Sequence, residues 1–390
     1  MSFHFSGSLE ISKSWMNRAL ILQSYNSDIQ IQGESSADDV VLLKKALSDF
    51  KNKKTEFQVG LGGTTLRFLA LRLSRAIGEF TIHGEEKLFS RPQTELLHVL
   101  NQLGVKAELS KNNMKIKSEG WQKPAKTIQI NTDQSSQFLS SFVLNAMNLD
   151  FDLEYTSTGQ MTSEGYYQYT LDLIKKCDVN VSDQKIRSQK LKSVVLKGEV
   201  DVSSAFSLIA AGILAGDVEI KNWSDKSLQP DMQFVQFLKQ MGISFASNES
   251  EFKIKQQFGF KNLQANLKNC PDLFPVLSVL CAFAEGESHL FGAHQLIFKE
   301  SNRIQKTYDL LSRCGFNVVK QDDGLKVQGN PKTQYRTKDF IHFDPDGDHR
   351  MAFAAAILQI KGFPVIITDP TVITKSYPQF YQHIGLGDSV

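Results

Sequence analysis

Tyr308-Asp309-Leu310-Leu311-Ser312-Arg313-Cys314-Gly315-Phe316-Asn317-Val318-Val319-Lys320-Gln321-Asp322-Asp323-Gly324-Leu325-Lys326-Val327 changes period in mid-stretch. Ile304, Tyr308 and Leu311 recur at the spacing of one helical face. After Gly315 the pattern alternates with the period of two that a strand requires, and Asp322-Asp323-Gly324 supplies a turn before Leu325-Lys326-Val327. Gly315 sits where a helix closes on a residue in the left-handed conformation. The stretch predicts a helix, a glycine stop and a hairpin.

The same order occurs three more times. Leu96-Leu97-His98-Val99-Leu100 runs to Leu103-Gly104-Val105, then to a turn at Asn112-Asn113 and to Met114-Lys115-Ile116-Lys117. Leu171 to Lys176 leads into Cys177-Asp178-Val179, with Asp178 in the glycine's place. Phe234-Val235 through Leu238 reaches Met241-Gly242-Ile243, a turn near Asn248, and Phe252-Lys253-Ile254. One such glycine is an ordinary helix stop. Recurrence of the whole unit argues for duplicated α+β modules, with helices covering one face of mixed sheets and two groups of modules forming two domains.

Composition limits the function classes. The chain has 390 residues, 41% hydrophobic, enough for more than one core. Lys+Arg 44 against Asp+Glu 42 leaves a formal charge of +2, which gives no bulk attraction to nucleic acid or a membrane surface. An anionic ligand must then be held by a local cluster of bases. Cys177, Cys270, Cys281 and Cys314 are scattered, form no zinc or disulfide framework and suit a reducing compartment. Met1 to Ser6 reads as no signal peptide, and the apolar run 273–284, interrupted by Ser278, is too short to span a bilayer. A soluble cytoplasmic protein is expected.

Several segments pair a helix start with groups that bind anions. In Ser12-Lys13-Ser14-Trp15-Met16-Asn17-Arg18, Lys13 and Arg18 lie about one turn apart and can face one anion together. Gly60-Leu61-Gly62-Gly63-Thr64-Thr65-Leu66-Arg67 is a glycine turn feeding a helix, which exposes backbone N–H groups, yet it fits neither a Walker loop nor a dinucleotide fingerprint. Ser135-Ser136-Gln137-Phe138-Leu139 opens another helix, where serines serve either as caps or as phosphate ligands. Further on stand Asp272 after Cys270-Pro271, the run Lys299-Glu300-Ser301-Asn302-Arg303, Asp348-His349-Arg350-Met351-Ala352, and Lys375. Taken singly, Glu300 and Arg303 read as a surface ion pair at i, i+3, and His349 as a structural histidine.

Taken in order, these segments resemble the 5-enolpyruvylshikimate-3-phosphate synthase family over nearly the whole chain. Ser90-Arg91-Pro92 and Ser163 with Tyr166 match further ligand-binding positions, and Asp201-Val202-Ser203-Ser204-Ala205 matches the segment where the family's chain returns to its first domain. The resemblance implies an α/β protein of two domains, each of three βαβαββ-type units, with the active site in the cleft that separates them. One domain would comprise 1–11 and 200–390, the other 12–199, inserted. It also implies transfer of the enolpyruvyl group of phosphoenolpyruvate to the 5-hydroxyl of shikimate 3-phosphate by a monomer, without metal or organic cofactor.

The resemblance further assigns residues. Lys13, Gly63, Arg91, Gln137, Arg303, His349, Arg350 and Lys375 would bind phosphoenolpyruvate. Lys13, Ser14, Arg18, Ser135, Ser136, Gln137, Ser163, Tyr166, Asp272, Gln295 and Lys299 would bind shikimate 3-phosphate. Glu300 is the implied acid for the enol methylene and Asp272 the implied base for the hydroxyl, with help from Lys13. Departures from the family pattern are Leu61 and Gln295 for asparagine, Ile297 for arginine, Asn302 for aspartate and Glu164-Gly165 for Lys-Pro. Three rivals are weighed. An enolpyruvyl transferase acting on UDP-N-acetylglucosamine would carry a reactive cysteine near Ser90-Arg91, where this chain has none. An RNA-terminal phosphate cyclase would want a basic groove. A silent substrate-binding paralogue would not need Glu300, Asp272 and Lys13 together.

Overall fold

The computed structural model describes residues 2–182, 184–333 and 339–387. The chain divides into two compact units, Met1–Glu10 with Glu199–Val390, and Ile11–Gly198.

One module recurs in both. In Ile11–Gly198, strand Glu56–Gln58 pairs in parallel with Ile77–His83 across the helix Gly63–Leu73. Helix Thr94–Gln102 follows, and then a hairpin whose second strand, Asn113–Glu119, lies antiparallel to both Ile77–His83 and Lys106–Leu109. The strands therefore stand in the order first, second, fourth, third. Ile128–Asn131, Leu153–Thr158, Lys185–Ile186 and Val181–Ser182 repeat that order, as do Gln264–Asn266, Gly286–Phe291, Gly324–Gly329 and Asn317–Gln321 in the other unit. The fourth copy begins with Phe3–Gly7, which pairs in parallel with Gly216–Ile220, so that the whole of Ile11–Gly198 is inserted in its first strand-to-helix connection. Each unit adds one more parallel pair, Val195–Lys197 with Gln30–Gln32 and Ile341–Phe343 with Val365–Ile367.

The helix stops expected at the repeats adopt the left-handed conformation, with φ of +79° at Gly104, +73° at Gly242, +85° at Gly315 and +59° at Asp178. The first helix of each module is largely buried and forms the core. Lys13–Tyr25, Gly63–Leu73 and Gln137–Asn145 pack on one another in one unit, and Val202–Ala215, Phe274–Ala282 and His349–Ile360 in the other. The second helices, such as Arg303–Arg313, bury one stripe only.

A methyl group at Gly242 or Gly315 would meet no atom within 4 Å, so substitution there tests backbone conformation alone. Gly242→Ala and Gly315→Ala should each cost about 1 kcal/mol, the scale of a left-handed non-glycine residue. Urea unfolding monitored at the intrinsic tryptophans checks this, and an unchanged midpoint would contradict it.

Candidate active site

In Ile11–Gly198 the first turns of five helices, all among the described residues, are joined side chain by side chain. Lys13 Nζ donates to Asp39 Oδ2 at 3.0 Å, and the Asp39 carbonyl accepts from Thr65 Oγ1 at 3.1 Å. Two residues further along the Thr65 helix, Arg67 Nη1 donates to Gln137 Oε1 at 2.6 Å. Ser136, next to Gln137, donates from its hydroxyl to the Ser163 carbonyl at 2.9 Å. Ser163 heads the helix Glu164–Lys176 with φ +55°, an uncommon conformation for a residue with a side chain. From that helix the Tyr166 carbonyl accepts from Arg18 Nη2 at 3.1 Å, and Arg18 Nη1 returns to the Ser14 carbonyl at 2.7 Å. The circuit closes on the helix where it began. A helix start carries unsatisfied N–H groups and a positive dipole end, so several meeting starts favour an anion.

Lys13 and Arg18 do not present themselves as the pair that their spacing suggested. Arg18 is buried, with Nε on Thr170 Oγ1 at 2.7 Å and both terminal nitrogens on carbonyls. Burial pulls its pKa down to about 10, partly offset by Tyr169 and Tyr166. Ser135, one residue before the cap position, accepts through Oγ from the Gln137 N–H at 3.2 Å. The Arg91 guanidinium covers Gly63, where a methyl group would lie 3.0 Å from Nη1. At Gly62 it would lie 2.8 Å from Asp39 Oδ1, so the bare glycine pair is what lets Asp39 and Arg91 approach this helix start.

The other unit collects acids and bases in one buried cluster. Arg303 donates to Asp272 Oδ1 at 2.7 Å, to Asp348 Oδ2 at 2.8 Å and to Glu300 Oε2 at 3.2 Å. Lys375 donates to Glu300 Oε1 at 2.9 Å, and Ser301 to Asp348 at 3.0 Å. Lys299 and Arg350 lie 3.7 and 3.6 Å from the Asp272 carboxylate. Asp348 also accepts from the Arg350 N–H, capping His349–Ile360. Glu300 and Arg303 are thus one edge of a buried network rather than a surface pair. His349 is buried beside this cap, edge-on to Phe353. Gln295 donates to the Lys268 carbonyl at 2.9 Å.

Burial opposes ionisation of Asp272, but Lys299, Arg303 and Arg350 outweigh it and hold the carboxyl well below the ordinary range. Asp231 is the reverse case. Burial and the charge of Asp272 push it up to about 7, against the opposing pull of the Ser203 hydroxyl and of Arg350.

Asp39, Arg67, Asp231 and Asp348 were without a role in the sequence reading. Asp348 and Arg67 lie inside motifs that it singled out. Asp39 and Asp231 left no spacing signal, because their partners lie 26 and 28 residues away.

A sequence profile of EPSP synthase (3-phosphoshikimate 1-carboxyvinyltransferase) matches residues 26–384. The chain belongs to the EPSP synthase family. The 3-phosphoshikimate 1-carboxyvinyltransferase of Methanococcus vannielii is 30% identical over 97% of this chain and 90% of its own length. That of Clostridium novyi is 31% identical over 82% of this chain and 74% of its own. Among solved structures, the EPSP synthase of Acinetobacter baumannii superposes with a TM-score of 0.72 at 20% identity, covering 98% of this chain and 95% of its own. The enolpyruvyl transferase NikO of Streptomyces tendae does so with 0.75 at 12% identity, covering 98% and 94%. These structures share the mixed α/β fold described above. Among the described residues no helix is long and apolar enough to cross a membrane.

The raised Asp231 pKa has a consequence for stability. The folded state holds a proton there that the unfolded state has lost above about pH 4. This contribution therefore favours folding below about pH 4 and fades as pH rises through about 7. Asp231→Asn should flatten the decline in stability across that window. Urea titrations at pH 4.5 and 7.5 check it, and equal slopes in both proteins would contradict it.

Proposed function

We propose that this chain transfers the enolpyruvyl group of phosphoenolpyruvate to the 5-hydroxyl of shikimate 3-phosphate and releases phosphate, in the shikimate pathway and in the cytoplasm. The observation that carries the reading is the closed circuit of helix first turns holding Lys13, Gly63 and Gln137, a built anion site in a chain of near-zero net charge. Family membership supplies the reaction class. Both substrates are polyanions, which suits fixed guanidinium and ammonium groups.

The roles follow the chemistry. Lys13, Gly63, Arg91, Gln137, Arg303, His349, Arg350 and Lys375 take phosphoenolpyruvate. Ser14, Ser135, Ser136, Ser163, Tyr166, Gln295 and Lys299 take shikimate 3-phosphate, with Arg18 acting from beneath by fixing Ser14 and Tyr166. Glu300 gives a proton to the enol methylene, which makes the adjacent carbon electrophilic. Asp272 receives the hydroxyl proton as that oxygen attacks, with Lys13 assisting, and the new methyl group returns a proton to the Glu300 carboxylate as phosphate departs. The cations around Asp272 keep it ionised and a weak base. Substrate phosphate competes for those cations, which raises its basicity when the ligand is present. Lys375 and Arg303 flank Glu300 and stabilise negative charge on the leaving phosphate.

The rival that acts on UDP-N-acetylglucosamine through a cysteine finds little support. Cys177, Cys270, Cys281 and Cys314 are all buried, and burial pushes the thiol of Cys177 up to about 11 and those of Cys281 and Cys314 up to about 12. Four buried unpaired thiols also fit a reducing compartment.

Phosphate release from phosphoenolpyruvate should require shikimate 3-phosphate. Release supported by UDP-N-acetylglucosamine instead, or by neither, would overturn the reading. Glu300→Gln and Asp272→Asn should each lower turnover about 100-fold or more while changing either KM far less, since the isosteres keep the shape. Near-normal turnover would assign the proton transfers elsewhere.

A further inference from the structure

Arg67 lies one helical turn beyond Gly63, is buried, and donates from each of its three guanidinium nitrogens to a protein group. Nε donates to Gln93 Oε1 at 3.2 Å, Nη2 to the Pro92 carbonyl at 3.1 Å, and the plane rests over Phe138 with Cζ 4.5 Å from the ring centroid. Gln93 is itself tied by its amide nitrogen to the Leu88 carbonyl at 3.2 Å. These contacts leave Nη1 aimed at Gln137 Oε1, 2.6 Å away.

The identity of that acceptor matters. A guanidinium has donors only, so the Gln137 atom that faces it must be the carbonyl oxygen. The amide is thereby turned with its two N–H donors away from Arg67, on a half-buried side chain at the first position of a helix. An anion needs those donors. A glutamine without such a partner can turn its amide over and present an oxygen to the same anion, replacing an attraction by a repulsion.

We propose that Arg67 is a positioning residue that fixes the polarity of the Gln137 amide and so sets affinity for phosphoenolpyruvate, without touching the ligand. This rests on the reading that Gln137 binds that substrate. Lysine keeps the charge at position 67 but lacks the planar fork that three separate acceptors require.

The test uses steady-state kinetics of the full chain with Arg67→Lys, Gln137→Ala and the double variant. Arg67→Lys should raise the phosphoenolpyruvate KM about tenfold and leave that for shikimate 3-phosphate within about threefold. Because Arg67 acts through Gln137, the double variant should match Gln137→Ala in phosphoenolpyruvate KM. A merely structural role would lower the active fraction, hence kcat and Tm, and leave KM in place. Multiplying effects in the double variant overturn the positioning role while the site reading stands. An unchanged KM in Gln137→Ala overturns the site reading for Gln137, and the proposal with it. Should Arg67→Lys fail to fold, Gln93→Leu loosens the fork from its Nε side. It should raise the same KM by a smaller factor, and only where Gln137 is present.

Discussion

A helix buried on most sides must find every polar partner inside the protein, and the unsatisfied N–H and C=O groups at its ends are the largest such demand. Among the described residues six helices are in that position, three packed together in each unit. Each first turn has N–H groups without intrahelical partners, which a preceding polar side chain can satisfy. Ser12, Asp201 and Asp348 cap with their own oxygens, whereas Gly62 and Leu273 supply none, and Gly63 lies under the Arg91 guanidinium. Lys13, Gly63, Gln137 and Arg350 all stand in such first turns.

The two units solve the same problem with different charge. In Ile11–Gly198 the first-turn circuit holds Lys13, Arg18 and Arg67 with Asp39 as the acid. It is held together largely by neutral acceptors, namely backbone carbonyls, hydroxyls and one amide, which orient cations without cancelling them. In the other unit Asp272, Glu300 and Asp348 stand against Lys299, Arg303, Arg350 and Lys375, and Arg303 alone reaches all three carboxylates. Such a buried network is costly to break at one member, since a lone buried charge remains. It also keeps candidate proton donors and acceptors at fixed distances, which a set of mobile surface pairs could not.

Much of this was legible in the sequence. The period change at Gly315, and its recurrence at Gly104, Asp178 and Gly242, predicted the hairpins and their stops, because local periodicity and a left-handed residue are properties of neighbouring positions. The site segments were legible as motifs for the same reason: each is a helix start a few residues long. What could not be read was how those starts are wired together. Asp39 reaches Lys13 from 26 residues away and Arg67 reaches Gln137 from 70, distances at which only the fold decides who meets whom. Arg18 was read as facing one anion together with Lys13, whereas its guanidinium is buried on Thr170 and two carbonyls, since spacing along a helix gives relative angle and not which side is buried.

The insertion of residues 11–198 also bears on how the chain is made. Phe3–Gly7 leaves the ribosome well before its sheet partner Gly216–Ile220, which is some two hundred residues behind it. The inserted segment carries its own complete modules, so it has what it needs to collapse while the opening strand is still waiting. An unpaired strand edge with Phe3 and Phe5 is a hazard for sticking to other nascent chains. Its shortness and the alternating His4 and Ser6 blunt that hazard during the delay. Closure of this one long-range pairing has the highest loop-closure cost of any sheet contact described, and it should be a late step in folding.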